Sequence, residues 1–128
     1  MHMAEPLGDL QLQVMEIIWR RGRASVADVH AELAGRRKIA YTTVLTTLRA
    51  LERRGMVVHE QVGKAYVYQP AVDRPSYAAA TVEKLVDDLF AGQKEQLLCH
   101  LLGKERIGPG ELEEIRRLLA AGKTRGDQ

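Results

Sequence analysis

The run from Tyr41 to Arg54, YTTVLTTLRALERR, constrains this chain more than any other stretch. At about 100° per residue, Tyr41, Val44, Leu45, Leu48 and Leu51 fall within roughly a third of the wheel, which predicts an amphipathic helix. The opposite arc holds Thr42, Thr43, Thr46, Thr47, Arg49, Arg53 and Arg54, with Ala50 among them. Threonine loses rotamer freedom in a helix, so four of them on an exposed face weaken it and return nothing to a core. A charge stripe alone is ordinarily a solvated face. Short hydroxyls at the helix start with arginines further along fit close approach to another molecule. Tyr41 stands both at the helix start and on the buried arc, so contact and core roles are equally open to it.

The segments around this helix give it a context. Leu10 to about Arg21 predicts a first helix, opened by Asp9 as a cap residue. Leu7, Leu10, Val14, Ile17 and Ile18 form one apolar face; Leu12, Met15 and Trp19 form a second, which places Trp19 in core or inter-domain packing. After the turn Arg21-Gly22-Arg23, Ser25 caps a short helix, with Asp28 at the capping-box position and Val26, Val29 and Leu33 inward. It stops at Gly35, and the basic loop Arg36-Arg37-Lys38 follows. Beyond Gly55, the stretches 56–61 and 65–70, joined at Val62-Gly63-Lys64, read as a β-hairpin. Three helices and a hairpin, with a short turn between the second and third helices, make the winged form of the helix-turn-helix.

The pattern changes at Asp73-Arg74-Pro75. A helix starting near Ser76 runs to Ala91 with Ala78, Thr81, Val82, Leu85 and Leu89 on one face and Ala79, Val86 and Phe90 beside it. A short helix through Leu97, Leu98, Leu101 and Leu102 ends at Gly103. Gly108-Pro109-Gly110 precedes a last helix with Leu112, Ile115, Leu118 and Leu119 inward and Glu111, Glu113 and Glu114 in its first turn. The expected organisation is mainly α with a small β-hairpin wing: a winged-helix domain over 7–73, an α-helical dimerisation domain over 74–123 and a polar tail over 124–128. About 55 residues of helix with wide apolar faces are marginal alone. Pairing with a second copy through Val82, Leu85, Leu89, Phe90, Leu97, Leu101, Leu112, Ile115 and Leu119 is the simplest stable solution.

Charge supports a polyanion-binding head on a neutral body. The chain of 128 residues carries a formal charge of only +2, but Arg20–Lys64 holds ten Lys/Arg against four acids. From Arg74 onward there are nine of each sign. DNA affinity is expected from Arg36, Arg37, Lys38, Arg49, Arg53, Arg54 and Lys64 on phosphates, and base reading from the threonines. A single cysteine, Cys99, excludes an internal disulfide and a cysteine metal cage, and between leucines it reads as a small core residue. The four histidines (His2, His30, His59 and His100) are scattered without ligand spacing, and His30 is expected on the surface. No nucleophile triad or phosphate loop occurs. The expectation is a non-enzymatic protein with no metal and no cofactor. With no membrane-length apolar run and no signal-peptide pattern, it is expected in the cytoplasm, without direct membrane association. The alternative is a winged helix that binds protein, which salt-insensitive binding would favour.

The strings LGDLQLQVMEIIW, ASVADVHAEL, AYTTVLTTLRALERRGMV, GKAYVYQP, LFAGQKEQLLCHLL and ELEEIRRLL together cover nearly the whole chain. They resemble the BlaI/MecI/CopY family of transcriptional repressors. The resemblance implies a homodimer on an inverted-repeat promoter operator with TACA and TGTA half-sites. It makes Tyr41–Arg54 the recognition helix, with Thr42, Thr43 and Thr46 at base edges and neighbouring phosphates. The hairpin tip at Gly63-Lys64 falls on the backbone, and the segment after Arg74 becomes the dimerisation domain. It also implies a membrane sensor and protease acting indirectly in the antibiotic-sensing members, through cleavage of an Asn-Phe bond. The matching position here is His100-Leu101. Copper-responsive members carry a C-terminal cysteine cluster, which this chain lacks.

Overall fold

A computed structural model describes residues 6–103 and 108–126, with the backbone alone from 119 on. The chain order is α1 (Asp9–Arg21), β1 (Ala24–Ser25), α2 (Val26–Ala34), α3 (Tyr41–Arg53), β2 (Val57–Val62), β3 (Ala65–Pro70), α4 (Arg74–Phe90), α5 (Lys94–Leu102) and α6 (Pro109–Gly126). The chain divides into two compact units, one up to Val82 and one from Glu83 on.

In the first unit, α1, α2 and α3 enclose a core of Val14, Met15, Ile17, Ile18, Val29, Leu33, Val44, Leu48 and Leu51, all but inaccessible to solvent. Val57 and Tyr68 of the sheet close it. Trp19 packs at its edge and its indole N–H donates to the Val72 carbonyl at 2.8 Å, in keeping with a packing role. Gly8, rather than Asp9, is the N-cap of α1: Asp9 is the first helical residue, where its carboxylate still complements the helix dipole. Of the second apolar stripe, Met15 is buried and Trp19 half-buried, and only Leu12 is exposed.

At α2 the capping box closes in both directions. Asp28 N–H donates to Ser25 Oγ at 3.0 Å and Ser25 N–H to the Asp28 carboxylate at 3.0 Å. Those two bonds hold the Asp28 carboxyl below its ordinary pKa, with Arg21 adding to them. The sheet has three strands in the order β1-β3-β2, all antiparallel, rather than the expected hairpin alone. Strand β1 is only two residues, pairing Ala24 with Tyr68 and Ser25 with Val67. The β2–β3 turn holds just Gly63 and Lys64, and Gly63 supplies the positive φ of 62° that a two-residue turn needs.

The expected boundary at residue 73/74 does not coincide with the division into units. Asp73 caps α4 through the Ser76 N–H at 2.8 Å, so the helix begins at Arg74, two residues before the expected start. Its first turns belong to the first unit: the Tyr77 hydroxyl accepts the Leu7 N–H at 2.9 Å, and the Tyr77 ring lies 5.8 Å from Trp19.

In the second unit the end of α4, α5 and α6 bury little. Val86 and Cys99 are buried, which agrees with a core role for Cys99. Phe90, Leu97, Leu98, Leu112 and Ile115 are half-buried. Leu85 is exposed, and Leu89 and Leu101 keep 68% and 69% of their surface accessible. Leu118, expected inward, is also exposed within the single chain. Val82, at the end of the first unit, is exposed as well. The Leu119 side chain lies outside the described residues. Helix α6 continues to Gly126, so most of the expected tail is helical.

Candidate nucleic-acid interface

Helix α3 carries the candidate face. Thr42, Thr43, Thr46, Arg49 and Arg53 are all exposed on it, opposite buried Val44, Leu48 and Leu51. Thr46 Oγ1 donates to the Thr42 carbonyl at 2.9 Å, which holds its rotamer while the residue stays exposed. Thr47 departs from the expected exposed arc and is buried at 9% exposure. It lies three residues after Val44 and four before Leu51, both core residues, and its hydroxyl is satisfied by the Thr43 carbonyl at 2.7 Å.

Tyr41, open to contact or core from its spacing, lies outside the core with 47% of its surface exposed. Its ring meets His30 edge-on at 5.7 Å, and His30 Nε2 lies 3.0 Å from the Ile39 carbonyl. His30, expected on the surface, is half-buried and joins α2 to the loop before α3. The N-cap of α3 is Ala40, which has no side-chain acceptor, so the first N–H groups of the helix are not capped by a side chain there.

The basic loop and wing flank this face. Arg36, Arg37 and Lys38 are exposed ahead of α3, and Lys64 is exposed at the wing tip. Arg37 donates to Gln13 at 3.1 Å, and Arg36 lies 4.0 Å from Glu32. Arg54 is half-buried and donates to Gln11 of α1 at 3.1 Å, which removes it from the candidate face.

The distribution of ion pairs is more telling than the charge count. Glu32 is taken by Arg20 and Arg21, and Asp28 lies near Arg21. The hydrogen bonds from Arg20 and Arg21 hold the Glu32 carboxyl below its ordinary pKa. Glu60 pairs with Arg23, and Glu52 with His59. All four acids of the basic stretch thus have a partner, and Glu32 also reaches Arg36 of the loop. Lys38, Arg49, Arg53 and Lys64 have no ion pair among the described residues.

The Glu52–His59 contact was not foreseen from the sequence. His59 Nδ1 of β2 lies 2.7 and 2.8 Å from the two carboxylate oxygens of Glu52 on α3. The imidazole sits against the rings of Tyr66 and Tyr68, each at 5.3 Å. Burial pushes the Tyr68 phenol up, and the Glu52 carboxylate reinforces that.

No group of His, Cys, Asp and Glu suited to a metal occurs among the described residues, nor any helix long and apolar enough to cross a membrane. Comparison with known proteins matches residues 7–121 to the family described as penicillinase repressor. The transcriptional regulator BlaI of Mycobacterium tuberculosis is 35% identical over 116 residues, covering 89% of this chain and 83% of that protein. The penicillinase repressor of Bacillus licheniformis is 24% identical, covering 93% of each. Among solved structures, Bacillus licheniformis BlaI in monomeric form with the blaP half-operator is 28% identical. It has a TM-score of 0.51, and the match covers 60% of this chain and 94% of that one. The fold is thus the winged helix with an added helical segment, and the relatives are transcriptional regulators rather than enzymes. This chain belongs to the penicillinase repressor family.

Proposed function

We propose that this chain represses transcription by occupying a pseudo-palindromic promoter operator as a homodimer in the cytoplasm. One observation carries the reading: the threonine face of α3 is flanked by Lys38, Arg49, Arg53 and Lys64, which have no ion pair among the described residues, while the acids of the stretch hold other partners. Lys38, Arg49, Arg53 and Lys64 are therefore available to phosphates, with Arg36 and Arg37 beside them, and the affinity falls as salt rises. Thr42, Thr43 and Thr46 meet base edges, their methyls suited to thymine and their hydroxyls to either partner. Tyr41 joins them from the helix start, and the first N–H groups of α3 hold a phosphate. The relative solved with its half-operator supports this assignment over the region it matches.

The helical segment over 74–123 supplies the dimer contact, through Val82, Leu85, Leu89, Phe90, Leu97, Leu101, Leu112, Ile115 and Leu119. Two copies then set recognition helices in successive major grooves, roughly 34–36 Å apart. Where relatives are released by a membrane sensor and cleavage at an Asn-Phe bond, His100-Leu101 here points to another route.

The test is fluorescence anisotropy against a duplex with inverted TACA and TGTA half-sites and a scrambled duplex, across a salt series. Preference for the inverted repeat at two chains per duplex supports the proposal, and equal binding to both overturns the operator assignment. Thr46→Ala is expected to weaken the operator more than the scrambled duplex, whereas Lys64→Ala weakens both alike. Equal losses for both variants on both duplexes would sink that division of labour.

A further inference from the structure

We infer that the Glu52–His59 pair is a strut that sets the angle of the wing against helix α3, so that both are positioning residues for the wing-tip contact. The inference rests on the DNA-binding reading above. The root of the hairpin is held by the core: Val57 and Tyr68 are buried, and the Ala71 N–H donates to the Met56 carbonyl at 2.9 Å. Beyond the His59↔Tyr68 rung, Gln61, Val62, Gly63, Lys64 and Tyr66 are exposed. The distal wing is therefore a lever whose direction is set near His59.

Four residues of strand from His59 to Gly63 span about 13 Å, so rocking by about 10° moves the tip by about 2 Å. That displacement is enough to take Lys64 out of hydrogen-bond reach of a phosphate. At the pivot, His59 faces α3 through both oxygens of Glu52, and the Tyr66 and Tyr68 rings of β3 hold the imidazole in place. Arg49 of α3 is the other charged group near Tyr68 on this face. Glu60, next along β2, points to the opposite face of the strand, where Arg23 pairs with it in an exposed position that contributes little.

Electrostatics alone predicts the opposite consequence for Glu52. A carboxylate three residues from Arg49 and next to Arg53 repels DNA, so its removal tightens binding unless it serves geometry. The experiment is a double-mutant cycle between the strut and Lys64, read by anisotropy on full-length protein. In the native chain, Lys64→Ala is expected to weaken DNA binding on the order of fivefold and to reduce the salt slope by about 0.9. Glu52→Ala is expected to weaken binding by a similar factor and to abolish the further effect of Lys64→Ala. Glu52→Gln removes the same charge but keeps an acceptor for His59, and retains the Lys64 dependence. His59→Phe keeps a ring against Tyr66 and Tyr68 without the hydrogen bond, and behaves as Glu52→Ala.

Tighter binding by Glu52→Ala, or full Lys64 dependence in that background, overturns the strut while leaving the DNA-binding reading intact. Residual dipolar couplings of the hairpin amides relative to α3, measured without DNA, decide the same point if the DNA reading itself fails. A changed or averaged wing orientation in Glu52→Ala but not Glu52→Gln supports the strut; an unchanged one overturns it.

Discussion

The unit up to Val82 and the unit from Glu83 on are both helical and of ordinary composition, yet they treat their leucines oppositely. In the first, Leu33, Leu48 and Leu51 have no accessible surface and Leu12 is the one exposed leucine. In the second, Leu85, Leu89, Leu101, Leu102 and Leu118 are exposed. The first unit is a finished core in which each helix seats its apolar stripe against two others and the sheet. The second has amphipathic helices in a single chain too short to cover them. Exposed leucines at this density are the surface a partner is expected to cover, which supports pairing with a second copy. The lesson is that apolar periodicity tells which side of a helix is sticky, and the number of surrounding elements decides whether that side is satisfied within one chain.

Substitutions can break that comparison. The largest effect is expected from Leu48→Ala, which leaves a cavity at the centre of the first unit and costs about 3–5 kcal/mol, measured by urea denaturation. A loss under about 1 kcal/mol would mean that this core is not the finished one described. Next is Leu89→Asp in the second unit. It is expected to weaken self-association at least about 30-fold by analytical ultracentrifugation while leaving the unfolding of the first unit unchanged. Unaltered association would remove Leu89 from the interface.

A smaller effect sharpens the comparison from within the first unit. Ser25→Ala removes one arm of the capping box and is expected to cost about 1 kcal/mol. The box also has a pH signature. Because the folded-state pKa of Asp28 is depressed, its contribution is present above the ordinary carboxylate range and is lost as pH falls through the depressed value. Glu32, held down by Arg20 and Arg21, acts in the same sense. Acid titration of Asp28→Asn should therefore show a shallower decline in stability than the native chain below about pH 4. Parallel declines would assign the acid sensitivity elsewhere.

Much of the first unit was legible because its signals are local. Ser25 and Asp28 are three residues apart, and the wheel of α3 correctly placed Val44, Leu48 and Leu51 inward and Thr42, Thr43 and Thr46 outward. What escaped depends on neighbours distant in sequence or on the edges of a pattern. Thr47 sits at the border of the apolar arc, where only packing decides. Tyr41 has apolar spacing, but in the first turn of α3 its ring meets His30 and about half of the residue stays accessible. Strand β1 has two residues and so no periodicity. The Glu52–His59 pair joins a helix to a strand across a turn, and neither residue has a distinctive local spacing. The boundary near Arg74 marked a real helix start, but the bond from Leu7 to Tyr77 spans 70 positions and left no mark in composition.

That last bond has a consequence for synthesis. The polypeptide leaves the ribosome with Leu7 first and Tyr77 long after, so the winged helix emerges entire while one hydroxyl and one ring of its final structure are still to come. The ring that Trp19 awaits and the acceptor that the Leu7 amide awaits arrive together with the first turns of α4. A nascent chain released at residue 73 should thus be looser at its amino end than one released at 82, although neither lacks any part of α3 or the wing. The entry of α4 finishes the head before the rest of that helix has left the ribosome.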